Sequence, residues 1–264
     1  RRFAELTGTG ESRIERLAGG DLSEVLLLRR PDGRCTVAKS GPAVSTEAAM
    51  LRLLAGSGVP APVVVGGYAQ LLLLEHVEND AVFSPAAWAS IGTALRSLHD
   101  HAGDRYGWPV DYALGTVEMD NRETADWPSF WSERRLLAAA RTLDRPWRER
   151  LAAAARRMAV ILPARPKPSL LHGDLWSGNI LVKDGRLAAL IDPACYHGHA
   201  EVDLAMLTLF DAPPPEFWSA YGEPESGWEE RRPAYQLYPA LVHLRLFGAS
   251  YEGMVDRFLK QVGA

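Results

Sequence analysis

The chain has 264 residues, of which 47% are hydrophobic and 23% charged, a composition typical of a globular protein with enough apolar side chains for one large core or two smaller ones. Its formal net charge of −4, with basic residues scattered along the chain, argues against a nucleic-acid partner. No apolar run approaches the ~20 residues of a membrane-spanning helix, and the first residues lack the apolar core of a signal peptide. The two cysteines have small or apolar neighbours, which predicts free thiols and a cytoplasmic protein without membrane partners.

The first third of the chain is predicted to form strands around one helix. Residues 24–30 (EVLLLRR) and 34–40 (RCTVAKS) are rich in strand-forming residues, and the Pro-Asp-Gly sequence between them is typical of a turn. Helical spacing in AAMLRLL predicts a helix, with the Ser-Thr pair at 45–46 as its N-cap. YAQLLLLEHV predicts a further strand, and the polar residues 78–80 mark a link to the rest of the chain.

Beyond residue 80 the chain is predicted to be mostly helical. Ser84 followed by Pro85 is typical of an N-cap and the first residue of a helix. One buried face of that helix would carry Trp88, Ile91, Leu95 and Leu98. Further helices are predicted at about 128–142 and 146–162, and from about residue 201 onward. The sequence therefore predicts an α+β bilobal fold, in which a small β-rich lobe (1–78) precedes a larger, mainly helical lobe (79–264), with a ligand cleft between them.

Residues 179–192 (NILVKDGRLAALID) predict a hairpin, because Asp184-Gly185 between two apolar runs is a strong signal for a two-residue turn. The pairs expected for that turn are Lys183–Arg186, Leu181–Ala188 and Asn179–Leu190. Asp192 would then lie diagonally across from Asn179 on the same face, at the ~7–8 Å separation of diagonal neighbours. Two oxygen ligands on one face suit Mg²⁺, which leaves room for water and phosphate oxygens.

The segment before the hairpin has the pattern H-x-D-x-x-x-x-N over residues 172–179, which is typical of the catalytic half of kinase-like phosphotransferases. In that pattern Asp174 accepts the proton of the attacking hydroxyl, and Asn179 and Asp192 hold the metal on the nucleotide phosphates. We expect His172 to orient the loop rather than transfer protons. The alternative is that such polar residues only satisfy turn backbone; three of them on one face are harder to explain in that way.

The small lobe is expected to supply the nucleotide contacts. Lys39 at a strand end, followed eight residues later by Glu47 on a helix, matches the Lys–Glu pair that kinases use to fix the α- and β-phosphates. A lone lysine on a strand is more often a solvated edge residue, but the downstream Asp and Asn residues favour the functional interpretation.

Two further segments of this lobe could contact the nucleotide. The turn at residues 19–23, with Gly20 and Ser23, could offer amides and a hydroxyl to phosphate oxygens, although it lacks a full G-x-G-x-x-G and needs no nucleotide as a turn. Glu75 and Val77 fall where the hinge of a kinase would contact adenine through main-chain groups.

Several segments in order resemble the fructosamine kinase family: GGDLSEV, VAKS, STEAAMLRLL, LLHGDLWSGNILV and LIDPACYHGHAEVDLAM. The resemblance extends from about residue 19 to residue 247. It implies a protein-kinase-like fold and ATP- and Mg²⁺-dependent phosphorylation of a ketosamine, a sugar adduct on an amine such as lysine, at the sugar's 3-hydroxyl. The product would then decompose and free the amine. Aminoglycoside phosphotransferases and choline kinases share HGD, N and D but usually lack this Trp and the Cys-Tyr-x-Gly-His run.

The resemblance also assigns roles to individual residues. It implies the same base, metal ligands and phosphate clamp as above, and it makes Asp203 a brace for the catalytic loop. Ala200 stands where the family carries a basic residue, which argues against an anionic contact at that position. A zinc site at His197 and His199 is disfavoured because no third ligand is evident.

The acceptor site is less well determined by the sequence. Trp176 either packs the loop against the helical lobe or forms an apolar platform for the sugar beside the catalytic base. Asp120, Asn121 and Trp127 are expected to line the same pocket. Two other functions stay open. The first is a kinase of this fold that acts on an aminoglycoside or another small molecule, which an acidic pocket would favour. The second is a non-catalytic nucleotide-binding module, which is disfavoured because the base, the metal ligands and the phosphate clamp are all present.

Overall fold

A computed structural model describes residues 13–17, 24–68 and 70–264 and confirms the α+β class. The first part of the chain forms an antiparallel sheet of five strands in the order β1-β2-β3-β5-β4. Its strands are β1 (Arg13–Arg16), β2 (Glu24–Arg29), β3 (Cys35–Ser40), β4 (Val64–Tyr68) and β5 (Leu71–Glu75). The predicted turn joins β2 to β3, and its Gly33 has a φ of 83°, a conformation that glycine adopts without a steric penalty.

Helix α1 (Val44–Gly56) packs against this sheet. A small apolar cluster holds the two together, formed by Val44, Ala48, Leu51, Leu72 and Leu74. Full burial of a valine or leucine side chain contributes roughly 1.5–3 kcal/mol. The helix begins at Val44, and the residue before it, Ala43, caps it without a side-chain hydrogen bond. The prediction that the Ser-Thr pair at 45–46 is the N-cap was therefore wrong, because both residues lie inside the first turn.

The rest of the chain is mainly helical. Its helices are α2 (Pro85–Asp100), α3 (Trp127–Ser129), α4 (Ala138–Ala140), α5 (Arg145–Ile161), α6 (Glu201–Phe210), α7 (Pro215–Tyr221), α8 (Trp228–Phe247) and α9 (Glu252–Gln261). A π-helical stretch, Phe130–Leu137, joins α3 to α4. Three antiparallel strand pairs complete this part: β6 (Tyr112–Leu114) with β7 (Val117–Met119), β8 (Ser169–Leu171) with β11 (Tyr196–Gly198), and β9 (Ile180–Lys183) with β10 (Arg186–Leu190).

Helix α2 forms as its sequence predicts. The Ser84 hydroxyl accepts a hydrogen bond from the Ala87 amide at 3.2 Å, and Pro85 is the first helical residue. The predicted apolar face, Trp88, Ile91, Leu95 and Leu98, is buried. Helical periodicity and a capping residue therefore agree here, and the helix forms one wall of the large core.

The large core is rich in aromatic side chains. Trp127, Phe130, Trp131 and Tyr235 are fully buried, and the indole N–H of Trp127 donates to the Tyr235 hydroxyl at 2.9 Å. Buried aromatic rings with a satisfied polar atom fix the packing of a core. Here they fasten α3 and the π-helical stretch to α8.

The predicted lobe boundary at residues 78–79 falls in the segment between β5 and α2, which contains no helix or strand. This segment is fastened to the β9–β10 hairpin. The Asp80 amide donates to the Val182 carbonyl oxygen at 3.0 Å, and the Asp80 carboxylate accepts from the Asp184 amide at 3.0 Å. Glu78 forms an ion pair with Lys183. Among the helices of the described residues, none is long and apolar enough to cross a membrane.

Candidate active site

The catalytic loop, residues 172–179, connects β8 to β9. The imidazole of His172 is fully buried; its Nε2 lies 2.9 Å from the Ile191 carbonyl oxygen, and its Nδ1 lies 3.3 Å from the Asp174 amide nitrogen. A carbonyl can only accept, so Nε2 carries the proton and Nδ1 accepts from the amide. Burial lowers the pKa of His172. A neutral ring that bonds backbone on both sides has the geometry of an orienting residue.

Asp203 lies beneath this loop and is fully buried. Its carboxylate accepts hydrogen bonds from the backbone amides of His172 at 2.7 Å and Gly173 at 2.9 Å. His99 Nε2 lies 3.1 Å from the same carboxylate. Gly173 has a φ of +83°, and a Cβ there would overlap the Ala194 carbonyl oxygen. The loop shape therefore requires both the buried acceptor and the glycine.

Asp174 and Asn179 are in direct contact within the loop. The Asn179 side-chain N–H₂ donates to the Asp174 carboxylate at 3.0 Å and to the Asp174 carbonyl oxygen at 2.8 Å. Burial raises the pKa of Asp174 to about 6, although the bond from Asn179 opposes this shift. A carboxylate with a raised pKa is a stronger base than an ordinary aspartate, which suits a general base.

The β9–β10 hairpin contains the predicted two-residue turn, with positive φ at Asp184 (51°) and Gly185 (70°). Lys183 pairs with Arg186 as expected, but Leu181 pairs with Ala189 and Ile180 with Leu190. The predicted pairs Leu181–Ala188 and Asn179–Leu190 were wrong because the register shifts between Leu187 and Ala189. The extra residue of a bulge moves every later pair by one.

The two predicted metal ligands lie at the open end of this hairpin. The Asn179 carbonyl oxygen accepts from the Ile191 amide at 3.0 Å, which places Asp192 next to the end of the loop. No donor of the described residues forms a hydrogen bond with Oδ1 of Asn179 or with Oδ2 of Asp192. Two free oxygen donors of this kind fit Mg²⁺, which binds through few protein oxygens and keeps its other positions for water and phosphate.

Lys39 links the two lobes at this point. Its ammonium lies 2.9 Å from Glu47 on α1 and 2.7 Å from Asp192 Oδ1. Burial alone would lower the pKa of Lys39, but the charges of Asp192 and Glu47 raise it above its ordinary value. Burial also raises the pKa of Glu47, against the effect of Lys39. The ammonium therefore stays protonated, and it lies beside one of the two candidate metal ligands.

The other nucleotide-binding residues stay predictions. Gly20 and Ser23 lie outside the described residues. Glu75 ends β5, and its amide donates to the Val63 carbonyl oxygen at 2.9 Å. Val77 follows in the segment between the lobes. Both predicted hinge residues thus stand where the sheet meets the larger lobe.

A cleft opens beside Asp174. It is lined by Leu114, Gly173, Asp174, Tyr196, Val202, Met206, Tyr238, Pro239, Val242 and His243. Among the described residues that line it, Asp174 is the only carboxylate, and most of the others are apolar or aromatic. The sequence reasoning missed the residues that α8 contributes. Tyr238 with Val242 and Pro239 with His243 share a helix face at a spacing of four, but nothing in the sequence shows that this face meets Asp174.

Three residues predicted to line the acceptor pocket lie elsewhere. Trp127 and Asn121 have no exposed surface, so neither can line an open cleft, and both predictions are corrected. Asp120 is held by ion pairs with Arg122 at 2.7 Å and Arg134 at 3.0 Å, which lower the pKa of its carboxyl far below the ordinary range. These residues shape the loop after β7.

Arg135 organises that loop from within the core. Its buried guanidinium donates to the Asp120 carbonyl oxygen and to Asn121 Oδ1, both at 2.8 Å. It also lies over the rings of Tyr196, at 4.3 Å, and Tyr238, at 5.6 Å. Arg135 belongs to the π-helical stretch, and π-helical turns occur frequently near functional sites. Tyr196 and Tyr238, which both line the cleft, therefore pack against the same buried guanidinium.

Trp176 is 39% exposed and does not line the cleft. Its indole lies over Gly178, where a Cβ would overlap the ring, and it meets the ring of Phe210 edge-on at 6.2 Å. This arrangement includes the packing of the first interpretation, and part of the residue stays exposed. The platform role stays a prediction.

His197 and His199 contact different groups. His197 faces Trp108, with ring centroids 6.0 Å apart, whereas His199 Nδ1 lies 2.7 Å from the Tyr235 hydroxyl. His199 also approaches Glu201 at 3.7 Å. However, both oxygens of that carboxylate are engaged by Arg231, at 2.5 and 2.8 Å. A carboxylate neutralised by arginine is a poor metal ligand.

The family model for fructosamine kinase matches residues 3–264 of this sequence. The chain belongs to the fructosamine kinase family. Its curated relatives include a probable ketoamine kinase of Thermus thermophilus, 34% identical over 91% of this chain and 90% of that protein. A probable ketoamine kinase of Synechocystis is 34% identical over 77% of this chain and 72% of that protein. A chloroplastic protein-ribulosamine 3-kinase of Oryza sativa is 33% identical over 78% of this chain and 65% of that protein.

Solved structures agree on the fold. A crystal structure of a candidate fructosamine-3-kinase from Thermobifida fusca superposes with a TM-score of 0.88 at 30% identity, over 99% of this chain and 96% of that chain. The aminoglycoside phosphotransferase APH(4)-Ia, solved with AMP-PNP and hygromycin B, superposes with a TM-score of 0.68 at 18% identity, over 100% of this chain and 98% of that chain. The second likeness supports the fold alone. This chain has the protein-kinase-like fold, and it is an ATP-dependent phosphotransferase.

Proposed function

We propose that this fructosamine kinase family member phosphorylates the 3-hydroxyl of the sugar in ketosamines, such as ribulosamine, erythrulosamine or fructosamine on an amine. The phosphate ester would then decompose and release the amine. The observation that carries the proposal is the position of Asp174, a carboxylate of raised pKa that lines an otherwise mainly apolar cleft. The curated relatives named as ketoamine and ribulosamine kinases support the same substrate class.

Each side chain of the site has a defined task in this proposal. Asp174 Oδ accepts the proton of the attacking sugar hydroxyl, and Asn179 holds that carboxylate in place through its N–H₂ group. Lys39, positioned by Glu47, binds the α- and β-phosphates of ATP. Asn179 Oδ1 and Asp192 Oδ2 would hold Mg²⁺, which neutralises phosphate charge when bound. His172 and Asp203 keep the loop in the shape that these contacts need.

The nucleotide would enter between the lobes. Its adenine would meet main-chain groups of Glu75 and Val77, and its phosphates would meet the turn containing Gly20 and Ser23. Rigid positioning of the two reactants supplies much of the rate enhancement in phosphoryl transfer. The boundary between the lobes, near residues 78–79, would then lie at the mouth of the nucleotide site.

The chemistry of the cleft favours a sugar adduct over an aminoglycoside. An aminoglycoside is a polycation and is best bound by several carboxylates. Among the described residues, the cleft lining has one carboxylate, that of Asp174, and most of its other side chains are apolar or aromatic. Aromatic faces pack well against the apolar face of a sugar and leave its hydroxyls free to form hydrogen bonds.

The test is ATP consumption with Mg²⁺ on a panel of ribulosyl-, erythrulosyl- and fructosyl-lysine and several aminoglycosides. We expect turnover on ketosamines, loss of at least about 10³-fold in Asp174→Asn, and near-normal turnover in the matched Asp184→Asn variant. Asp184 makes the hairpin turn and has a φ of 51°, which asparagine tolerates. Turnover on aminoglycosides alone would overturn the substrate assignment, and full activity of Asp174→Asn would overturn the proposed base.

A further inference from the structure

The catalytic loop is attached to helix α6 at two points. In the first turn of the helix, the Asp203 carboxylate holds the amides of His172 and Gly173. Just past the last turn, the carboxylate of Asp211 accepts a hydrogen bond from the Ser177 amide at 2.9 Å. The two aspartates are eight positions apart, which at the rise of an α-helix separates their α carbons by about 12 Å. One helix therefore fixes both halves of the loop.

The Ser177 amide stands at the start of the short turn that carries Asn179. Residues Ser177–Asn179 form one turn of 3₁₀ helix, which the Asn179 amide closes by donating to the Trp176 carbonyl oxygen at 2.9 Å. The first N–H groups of a helical turn find no acceptor within it, so the Ser177 amide needs one from elsewhere. Asp211 supplies that acceptor. Its carboxylate thus holds the turn from which the Asn179 side chain reaches Asp174.

A second contact joins the same two segments. The ring of Phe210, the last residue of α6, meets the indole of Trp176 edge-on, with the ring centroids 6.2 Å apart. Two adjacent residues at the end of the helix therefore contact two adjacent residues of the loop. An apolar ring contact tolerates sliding, whereas a hydrogen bond constrains both a distance and a direction. Of the two contacts, the one from Asp211 is therefore the one that sets the position of the turn.

An aspartate at this position is not explained by the stability of α6. The C-terminus of a helix carries a partial negative charge, which disfavours a carboxylate beside it. No lysine or arginine of the described residues forms an ion pair with Asp211, and the one donor to its carboxylate is the Ser177 amide. Residues that break a local rule are expected at functional sites, where another contact compensates for them. Here the compensating contact is the bond to the catalytic loop.

We propose that Asp211 is a positioning residue for phosphoryl transfer: by holding the Ser177 amide, it fixes the turn that places Asn179 against Asp174 and toward the metal. The inference rests on the roles proposed for Asn179 and Asp174. Asp211 acts through the loop, since it is not among the residues that line the cleft. Mg²⁺ demands near-ideal octahedral geometry, so a small displacement of the turn weakens metal binding and misplaces the base.

The experiment compares Asp211→Ala with Asp211→Asn, which keeps a side-chain oxygen as acceptor but not the charge. The matched control is Asp32→Ala, because the Asp32 carboxylate accepts from the Arg34 amide at 3.0 Å in the β2–β3 turn, a bond of the same kind outside the site. The first measurement is hydrogen exchange of residues 173–180 in the metal-free protein, by mass spectrometry. The second is calorimetric binding of AMP-PNP as Mg²⁺ is varied, and the third is steady-state kinetics with a ketosamine. Thermal unfolding shows whether each variant is folded.

In Asp211→Ala we expect exchange in this segment to accelerate about tenfold. The Mg²⁺ concentration for half-maximal AMP-PNP binding should rise about fivefold and kcat should fall about tenfold, while KM for the acceptor stays within about twofold at saturating Mg²⁺. Asp211→Asn should recover most of each loss, and Asp32→Ala should match the wild type.

Unchanged exchange and unchanged Mg²⁺ dependence in Asp211→Ala would overturn the inference. A parallel loss of melting temperature, acceptor KM and kcat would overturn it as well, because Asp211 would then support the fold in general. If the wild type phosphorylates no ketosamine, the proposed acceptor is wrong. The exchange and AMP-PNP measurements need no acceptor, so they still decide the role of Asp211.

Discussion

The ammonium of Lys39 lies 2.7 Å from Asp192 Oδ1, a contact between β3 and the segment after β10. One buried cation thus forms ion pairs with Glu47 in its own lobe and with Asp192, a candidate metal ligand, in the other lobe. The second carboxylate is less buried than the first, with 36% of the Asp192 side chain exposed against 11% for Glu47. Without nucleotide, Lys39 neutralises the acidic group that would later meet the metal.

Replacing Lys39 by methionine should destabilise the fold as well as the activity. The change leaves two neighbouring carboxylates without their cation, and removal of one partner of a buried pair costs about 3 kcal/mol. Because Asp192 is partly exposed, the loss should be smaller than for a fully buried pair. We expect the free energy of unfolding in urea at pH 7 to fall by about 2 kcal/mol. KM for ATP should rise in parallel.

The control for this measurement is Lys167→Met. Lys167 forms an exposed ion pair with Asp100 at 3.2 Å, and such pairs contribute about 0–1 kcal/mol. Equal denaturation midpoints for the two variants would contradict the assignment of Lys39 as a buried clamp.

Asp174→Asn should make the metal-free protein more stable while removing its activity. The pKa of Asp174 is raised from 3.8 to about 6, so between these values the folded state binds more protons than the unfolded state. Stability therefore falls as pH rises from 3.8 to 6, by up to about 3 kcal/mol for a shift of about two units. An asparagine avoids this cost.

The measurement is thermal unfolding in EDTA without nucleotide at pH 4 and pH 7.5. The variant should unfold at a higher temperature than the wild type at pH 7.5, and the difference should shrink at pH 4. A variant that is less stable at pH 7.5 would show that the bond from Asn179 outweighs the burial of the carboxylate.

His199 should make the fold sensitive to acid. Burial and the positive charge of Arg231 lower its pKa from 6.5 to about 3, although Glu201 and Glu225 lie within 4 Å of the ring. The pKa of His199 is lowered despite these carboxylates because Arg231 already neutralises Glu201. Between pH 6.5 and 3 the unfolded state binds more protons, so stability falls as pH decreases.

The test compares urea unfolding of wild type and His199→Gln at pH 7 and pH 4. The wild type should lose about 3 kcal/mol more than the variant over this interval. His101→Gln, which changes an exposed histidine, should follow the wild type. Parallel curves for wild type and His199→Gln would disprove this role of the buried imidazole.

Arg135→Met should destabilise the loop after β7. The change removes the donors for the Asp120 carbonyl oxygen and Asn121 Oδ1, and unsatisfied buried acceptors cost about 1–3 kcal/mol each. We expect the free energy of unfolding to fall by about 2 kcal/mol or more. Arg135→Lys should not restore it, because an ammonium cannot reproduce the planar fork of donors.

Arg134→Met is the neighbouring control. Arg134 is partly exposed and holds Asp120 by one ion pair, so its loss should cost less than about 1 kcal/mol. A larger effect at Arg134 than at Arg135 would mean that the surface ion pairs, rather than the buried cation, hold the loop.

The sequence predicts the parts of the fold that depend on local chemistry. The face of α2 and its Ser84 cap follow from spacing and capping alone, and the Asp184-Gly185 turn follows from its need for positive φ. The register shift between Leu187 and Ala189 could not be predicted, because residues 187–190 (LAAL) are all apolar and show no alternation that would mark the register.

In the candidate site, too, the features set by local sequence could be predicted and those set by tertiary packing could not. Its loop and the Lys39–Glu47 pair follow a fixed spacing, so the sequence indicates them. The walls of the cleft depend on how α8 is rotated against the loop, which is decided by tertiary packing. For this reason the sequence does not indicate Tyr238 and His243 as cleft residues. Trp127 was assigned to the pocket because it follows polar candidates in the sequence, although it belongs to the core.

The attachment of the segment between the lobes determines where they can rotate. Asp80 is bonded twice to the β9–β10 hairpin, so it would move with the larger lobe, whereas Glu75 is bonded within the sheet. In the part of the chain that the structure describes, residues 76–79 make no backbone–backbone hydrogen bond, so a rotation of the sheet against the larger lobe would be accommodated in this segment. The proposed adenine contact lies in the same segment, so binding of the base would restrict such a rotation.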